Sequence, residues 1–493
     1  MRTGNGDWCY DSTKSAVLEF FAKAGSLLKG RGTFYANEAK AIDLFKPSWK
    51  VDPLRSMKLA FWLRDCRGGA GNRSGFRDVI GWLGKNDPAW MSANMHLIPM
   101  VGRWDDLKAL VGTPCEDEAL GFWIAAIMEG HGLAAKWAPR EKRNKELYAK
   151  LRRTAGMSPK DFRKLLVKNT DVVETAMCAK SFENIDYNKV PSVAMGRYNN
   201  AFRRNDAARF DGWKGALAKG VDEQGNKVKI NASVLFPHDV IRTLYADLSD
   251  RDGGYYGFSS YGRSRNTNYQ DSEIANAQFA ALPNYMEDAD MRIMPICDFS
   301  GSMSVTVSGS IQALHVSMGL GLYCSDRVGE SNPFYRKFMP FSNDSRLVDW
   351  RNDSFSVAAQ KYNDGYCGST NIVAALDKIL ECAMMFNATN DQIPNMLLII
   401  SDMQFNSGTQ RSGRTSVEAA LEKWLEAGYS LPKIVYWNTA GYQGDPATSE
   451  QNGVALVSGF SPSILKAILG APDFNPMTIL DMAIDKYEVV VPD

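Results

Sequence analysis

Long apolar runs are missing from this chain of 493 residues: no stretch approaches the roughly 18 consecutive apolar residues that a membrane span needs. The opening Met1-Arg-Thr-Gly-Asn-Gly-Asp7 has no apolar core of the kind a secretory signal carries. Histidine is scarce, and His96, His131, His238 and His315 show no paired ligand spacing and no evident nucleophile partner. The eight cysteines (Cys9, Cys66, Cys115, Cys178, Cys297, Cys324, Cys367 and Cys382) are scattered and include no Cys-x-x-Cys pair, which argues against a zinc ribbon and a disulfide framework. The expectation is a soluble, cytoplasmic protein that does not engage a membrane.

What is present is apolar content sufficient for large cores, at 45% hydrophobic and 11% aromatic, over a length that suits two to four domains. The near-zero net charge of +1 conceals a division. Residues 291–493 carry 14 basic against 21 acidic side chains, whereas Lys136 to Arg209 alone carries 18 against 8. An excess that local is an electrostatic footprint for nucleic acid, the alternative being a solvated helical face. The candidate nucleic-acid contacts are Lys136, Arg140, Lys142, Arg143, Arg152, Arg153, Arg203 and Arg204.

The N-terminal half reads as helices, with apolar faces such as Val17-Leu18-Glu-Phe20-Phe21, Met57-Lys-Leu59-Ala60-Phe61-Trp62-Leu63 and Phe76-Arg-Asp-Val79-Ile80-Gly-Trp82-Leu83. Punctuation at Asp87-Pro88 and Met157-Ser-Pro159 suggests helical hairpins, although no exact repeat period is present. Trp62, Trp82, Trp104, Trp123 and Trp137 could stack bases, but their helical spacing favours core packing. Gly69-Ala-Gly71-Asn-Arg-Ser-Gly75 follows a helical segment instead of a strand, so it reads as an interhelical turn and not a phosphate loop. The surrounding Arg64, Arg67, Arg73 and Arg77 could meet RNA phosphates or pair with Asp65 and Asp78.

Residues 249–288 are predicted to be a connecting segment, because dense Gly, Ser and Tyr begin at Arg251. Arg and Tyr in such a segment could also touch single-stranded RNA. Beyond it, strands are expected at 292–297, 334–341, 396–401, 433–437 and 454–457, with helices at 310–323, 371–386, 416–427 and 461–469.

The most specific local pattern is Met294-Pro-Ile-Cys-Asp298-Phe-Ser300-Gly-Ser302, an apolar run ending in Asp-x-Ser-x-Ser. A second loop places Thr370 at the mouth of the predicted helix 371–386, and Asn395-Met-Leu-Leu-Ile-Ile-Ser401-Asp402 closes another apolar run with an acid. In an open α/β sheet these five residues would converge at the carboxyl ends of the strands. Carboxylates and hydroxyls suit Mg²⁺, which takes about six oxygens and keeps some of its waters.

This set resembles the metal-ion-dependent adhesion site (MIDAS) of von Willebrand factor A (vWA) domains. The resemblance implies Mg²⁺, or another divalent cation, held by Asp298, Ser300, Ser302, Thr370 and Asp402, with a coordination position left for a protein ligand. One departure is that Met403 follows Asp402 where the family usually has Gly.

In the first half, Leu63-Arg64-Asp65-Cys-Arg67-Gly68-Gly69-Ala-Gly71-Asn-Arg73 and Gly102-Arg-Trp104-Asp105-Asp106-Leu107 resemble the helical module of the Ro autoantigen (TROVE) superfamily. Blocks such as Ala135-Lys136-Trp137-Ala-Pro139-Arg140-Glu141 are similar to a branch of uncharacterised TROVE-like proteins that also carry a vWA domain. The implied fold is multidomain: an α-helical repeat (HEAT-like) module over 1–248, the connecting segment 249–288, and a doubly wound vWA (Rossmann-like) domain over 289–493. The implied function is a non-enzymatic, Ro-like, ring-shaped RNA-binding scaffold with no catalytic residues, binding structured or single-stranded RNA. The rival expectation is a protein-only adaptor or assembly factor that docks an acidic partner, such as an ATPase, on the metal. A weaker one is a metal-dependent nuclease.

Overall fold

The computed structural model describes residues 1–27, 40–170, 172–232, 234–245, 269–287, 291–308, 311–341, 345–361, 371–406, 415–440 and 444–492. The C-terminal half contains strands β1 (Ile293–Asp298), β2 (Thr306–Ser308), β3 (Ile311–Gln312), β4 (Lys337–Phe341), β5 (Val348–Asp349), β6 (Met396–Ser401), β7 (Lys433–Asn438) and β8 (Val454–Ser458). β2 and β3 form a small hairpin, and the other six make one sheet in the order β5-β4-β1-β6-β7-β8. Only β5 runs antiparallel to its neighbour. β1 and β6 read as unbroken apolar runs because helices cover both faces, and every residue in each is buried.

The chain leaves β1 for β4 on one side and then returns to β6 on the other. Strand order therefore reverses between β1 and β6, and their carboxyl ends open on the crevice where ligands collect in such sheets. The expected doubly wound domain is thus present, and β6 has the expected bounds. β4 starts three residues later than expected because Arg336 takes a left-handed backbone (φ 52°) that breaks the strand. The expected helix 461–469 is divided into a 3-10 turn, Pro462–Ile464, and helix Leu465–Gly470.

The N-terminal half is helical, beginning with Ala16–Ala24, Ala41–Val51, Pro53–Arg64 and Arg73–Asn86. Ser15 caps the first of these by accepting from the Leu18 amide, and Asn72 caps the last by accepting from Gly75. Gly71 supplies the positive φ (73°) of the turn between the third and fourth helices, as the glycine run there suggested. The apolar faces meet in an aromatic core: the Phe21 and Trp62 rings lie 4.6 Å apart, and those of Phe20 and Phe45 lie 5.5 Å apart. Trp62, Trp104 and Trp123 are buried there, with Trp82 and Trp137 partly buried against them.

The two halves share one continuous core. Helix Ala16–Ala24 packs on β8, and the C-terminal helix Pro476–Ile484 packs on helix Pro53–Arg64. Helix Pro237–Tyr245 lies against helix Ala313–Arg327. The close approach needs Gly319, because a Cβ there would come within 2.8 Å of the His238 amide nitrogen. Polar ties reinforce this joint: the Ser458 hydroxyl donates to the Phe21 carbonyl (2.6 Å), and Arg55 grips Asp481 at 2.7 and 2.9 Å. A second, smaller core gathers Phe182, Tyr187, Met195, Phe202, Phe210 and Trp213 with Ile274.

Ile274 belongs to helix Tyr269–Ala280, which falls inside the expected connecting segment 249–288 and packs on helices Pro237–Tyr245 and Phe355–Lys361. Its last turns are anchored by burial: Ala275 and Phe279 are enclosed, and Phe279 stacks on Phe355 at 4.0 Å. Composition alone concealed this helix. The Arg- and Tyr-rich stretch 251–268 lies outside the described residues. Among the described residues, no helix is long and apolar enough to cross a membrane.

Candidate cation site and basic surface

Asp298 ends β1, and Asp402 follows the last residue of the adjacent β6, so the parallel register brings two carboxylates to one end of the sheet. Both are fully buried. Asp298 Oδ1 accepts from the Ser300 amide (2.9 Å), and its Oδ2 accepts from the Ser401 hydroxyl (2.6 Å). The Ser300 and Ser302 hydroxyls lie 3.0 Å apart beside this pair. Asp402 Oδ1 accepts from the Gln404 amide (3.0 Å), while its buried Oδ2 has no hydrogen-bond partner among the described residues.

Burial pushes both carboxyls up. Asp298, which also feels the Asp402 charge, rises to about 7. Asp402 is raised as well, in spite of the Ser302 hydroxyl. Two buried carboxylates that resist charging, one with an orphaned oxygen, form a donor set that a hard divalent cation would satisfy. Asp298, Ser300, Ser302 and Asp402 could hold such an ion. Thr370, the fifth expected ligand, lies outside the described residues. Among the described residues no group of three or more His, Cys, Asp or Glu is arranged to hold a metal, so an ion here would depend on the hydroxyls. Met403 stands in the position after Asp402 with a left-handed backbone (φ 64°). This accounts for a preference for Gly there, and Met403 is held in that conformation by burial and by its amide bond to Ser401 Oγ (3.0 Å).

The eight basic candidates separate into three kinds. Lys142, Arg143, Arg153 and Arg204 are exposed and have no ion pair among the described residues. Three others face their own chain. Arg140 is half-buried and donates to the Ala135 carbonyl and Thr170 Oγ1 (both 3.2 Å), Arg152 donates to the Met157 carbonyl (2.7 Å), and Arg203 faces Asp211 (3.8 Å). Lys136 leans over the Trp137 ring at 5.9 Å. Arg203 and Arg204 end helix Ser192–Asn205, whose core is the smaller one, apart from the core beneath the other six.

The arginines around the glycine turn are also divided. Arg64 Nε and Arg77 Nε each lie 2.7 Å from Asp106, and Arg77 also reaches Asp105. Their partners come from the Trp104-Asp105-Asp106 block, and Asp65, an expected partner, instead takes Lys486 and the Tyr487 hydroxyl. Sequence reasoning missed Arg103. Its guanidinium covers the same Trp137 ring at 4.4 Å. Burial, then the charges of Arg73 and Arg64, hold it below its ordinary pKa. Its position between Gly102 and Trp104 carried no signal, since the crowding arises only when three helices meet.

A helical array packed on a doubly wound α/β domain, with an Asp-x-Ser-x-Ser loop at the strand-order reversal, is the architecture that the residues described so far define. The crystal structure of the Deinococcus radiodurans RO (RSR) protein has this fold: it covers 97% of this chain and 100% of that one at a TM-score of 0.50 and 15% identity. The chain belongs to the family described as domain of unknown function DUF2828, whose model matches residues 3–119 and 118–290. Residues 292–488 match a second model, domain of unknown function DUF7788. Uncharacterized protein L728 of Acanthamoeba polyphaga mimivirus is 25% identical over 541 residues, covering 98% of this chain and 87% of that protein.

Proposed function

We propose that the chain is a non-enzymatic, Ro-like RNA-binding scaffold whose α/β domain uses Mg²⁺ to dock a protein ligand. The observation that carries the RNA reading is the set of exposed cations Lys142, Arg143, Arg153 and Arg204, with no ion pair among the described residues, on a helical fold like that of a Ro protein. Arg103 and Lys136, both over the Trp137 ring, add two further cations on which a phosphate could sit. For the metal, support comes from the orphaned Asp402 Oδ2 beside Asp298, Ser300 and Ser302. Mg²⁺ bound there would supply a Lewis-acidic position for a ligand carboxylate. Asp298 and Asp402 would neutralise part of its charge, and the two serines would orient toward it.

Gel shift of RNA at two salt concentrations tests the first half. Wild type should bind with steep salt dependence, and Lys142→Glu/Arg143→Glu/Arg153→Glu should weaken binding by at least about tenfold, because each lost phosphate contact also removes counterion release. Folded wild type that binds neither structured nor single-stranded RNA overturns it. The protein-only adaptor reading would then lead, favoured by the fact that Arg140 and Arg152 are already engaged within the chain. For the second half, Mg²⁺ should raise the melting temperature of wild type and not of Asp298→Ala.

A further inference from the structure

Residues 3–10 precede the first helix, yet they fold onto the α/β domain at the rim of the cation site. The segment is a tight turn, closed by the Thr3 amide donating to the Asp7 carbonyl (2.8 Å) and the Gly6 amide donating to the Thr3 carbonyl (3.0 Å). From this turn the chain grips 404–406 on three successive residues. The Thr3 hydroxyl donates to the Phe405 carbonyl (2.8 Å), the Gly4 amide to Gln404 Oε1 (2.6 Å), and Asn5 Nδ2 to the Gln404 carbonyl (2.5 Å). Gly6 forms an antiparallel bridge with Asn406. The turn is itself anchored, because the buried Asp7 carboxylate accepts from the Ser416 amide (3.1 and 3.2 Å) and hydroxyl (2.5 Å) at the start of helix Ser416–Glu426.

Gln404 is the link to the site. Its amide donates to Asp402 Oδ1, which fixes that carboxylate's rotation and leaves Oδ2 as the oxygen without a partner. The intervening Met403 is in the left-handed region, so the turn is strained, and the strap adds to the hold that Ser401 Oγ already has on it.

We propose that Thr3–Asp7 form a strap that positions Asp402 for the cation, with Gln404 and Asn5 as its positioning residues. This rests on the cation reading above and adds that the affinity of the site is set by a segment some 400 residues away in sequence, as the separations of these bonds require. Groups that orient a metal ligand from behind are worth about 10–100-fold in metal affinity. A strap that lets go would free the Asp402 turn and weaken the ion, and with it any ligand the ion holds.

The test is Mg²⁺ titration calorimetry on the full-length chain, comparing wild type, Asn5→Ala, Gln404→Ala and Asp298→Ala, with the melting temperature of each measured in EDTA. Gln404→Ala keeps the backbone amide on Asp402 but releases Gly4, and Asn5→Ala releases the Gln404 carbonyl, so each should weaken Mg²⁺ by several-fold, up to about tenfold, with metal-free melting little changed. That separation distinguishes positioning from general loosening. If wild type and both strap variants bind Mg²⁺ within twofold of one another while Asp298→Ala does not bind, the strap's role is overturned and the cation site stands. Affinity lost only in step with metal-free melting also overturns it. Wild type that takes up no Mg²⁺ overturns both.

Discussion

The Ser401 hydroxyl donates to Asp298 Oδ2 at 2.6 Å while accepting from the Met403 amide at 3.0 Å, so one buried side chain ties the end of β6 to the end of β1. The carboxylate on one strand and the turn leading away from the other are held by the same oxygen.

Ser401→Ala should therefore cost about 1–3 kcal/mol, the penalty for leaving a buried amide and a carboxylate short of a partner. Denaturant unfolding followed by circular dichroism would measure it. A midpoint equal to wild type would mean that water replaces the hydroxyl.

Arg140 and Arg143 are close in sequence and should behave oppositely. Arg140→Ala removes donors from the Ala135 carbonyl and Thr170, so it should lower stability by about 1–2 kcal/mol and leave RNA affinity nearly unchanged. Arg143→Glu, at an exposed position, should do the reverse. Parallel melting and gel-shift series would expose any exchange of roles.

Asp106 holds Arg64, whose side chain is 4% exposed, and Arg77 together. Asp106→Ala leaves the Arg64 charge enclosed without its partner and should destabilise by about 3–5 kcal/mol. Arg64→Met combined with Asp106→Leu should recover much of that loss, since it removes both charges from the interior. Denaturation midpoints for the single and double variants decide the matter; equal losses would show that packing, not charge, is at stake.

Stability should fall with acid through the joint between the halves. Burial, with His238 and Arg242 nearby, lowers His315 from 6.5 to about 4. Burial also lowers His238, against the pull of Asp239. Each folded pKa lies below its unfolded value, so the stability contributed by the neutral rings is present above pH 6.5 and is lost as pH falls toward 4. The Gln312 amide donates to His315 Nδ1 (3.2 Å), an acceptor that protonation removes. The loss for His315 is on the order of 2–3 kcal/mol. Melting temperature measured from pH 7 to 4 should decline less steeply in His315→Gln.

Much of the α/β half was legible because β1 and β6 are covered on both faces, which writes each as an apolar run with an acid at its end. Asp298, Ser300 and Ser302 share one loop, so spacing alone placed them together. What the sequence hid was made of distant, irregular contacts. Thr3, Gly4 and Asn5 show no periodicity, and nothing local pairs them with Gln404. The Arg64 partner lay 42 residues away in Asp106, while nearer acids stood in the sequence. Helix Pro476–Ile484 does carry a local signature, Asn475 as cap and Pro476 at the first turn.

The packing of helix Ala16–Ala24 on β8 sets an order of events during synthesis. The Phe20 and Phe21 rings find Phe45 and Trp62 soon after they are made, but the Phe21 carbonyl and the Gly25 amide meet Ser458 only once β8 has been synthesised. At about 5–20 residues per second, that seam waits roughly 20–90 s for its other side. Chains stalled before residue 454 should be cut by protease within 16–24 faster than released chains are. The helical half is thus made with one seam open, and the joint closes only when β8 arrives.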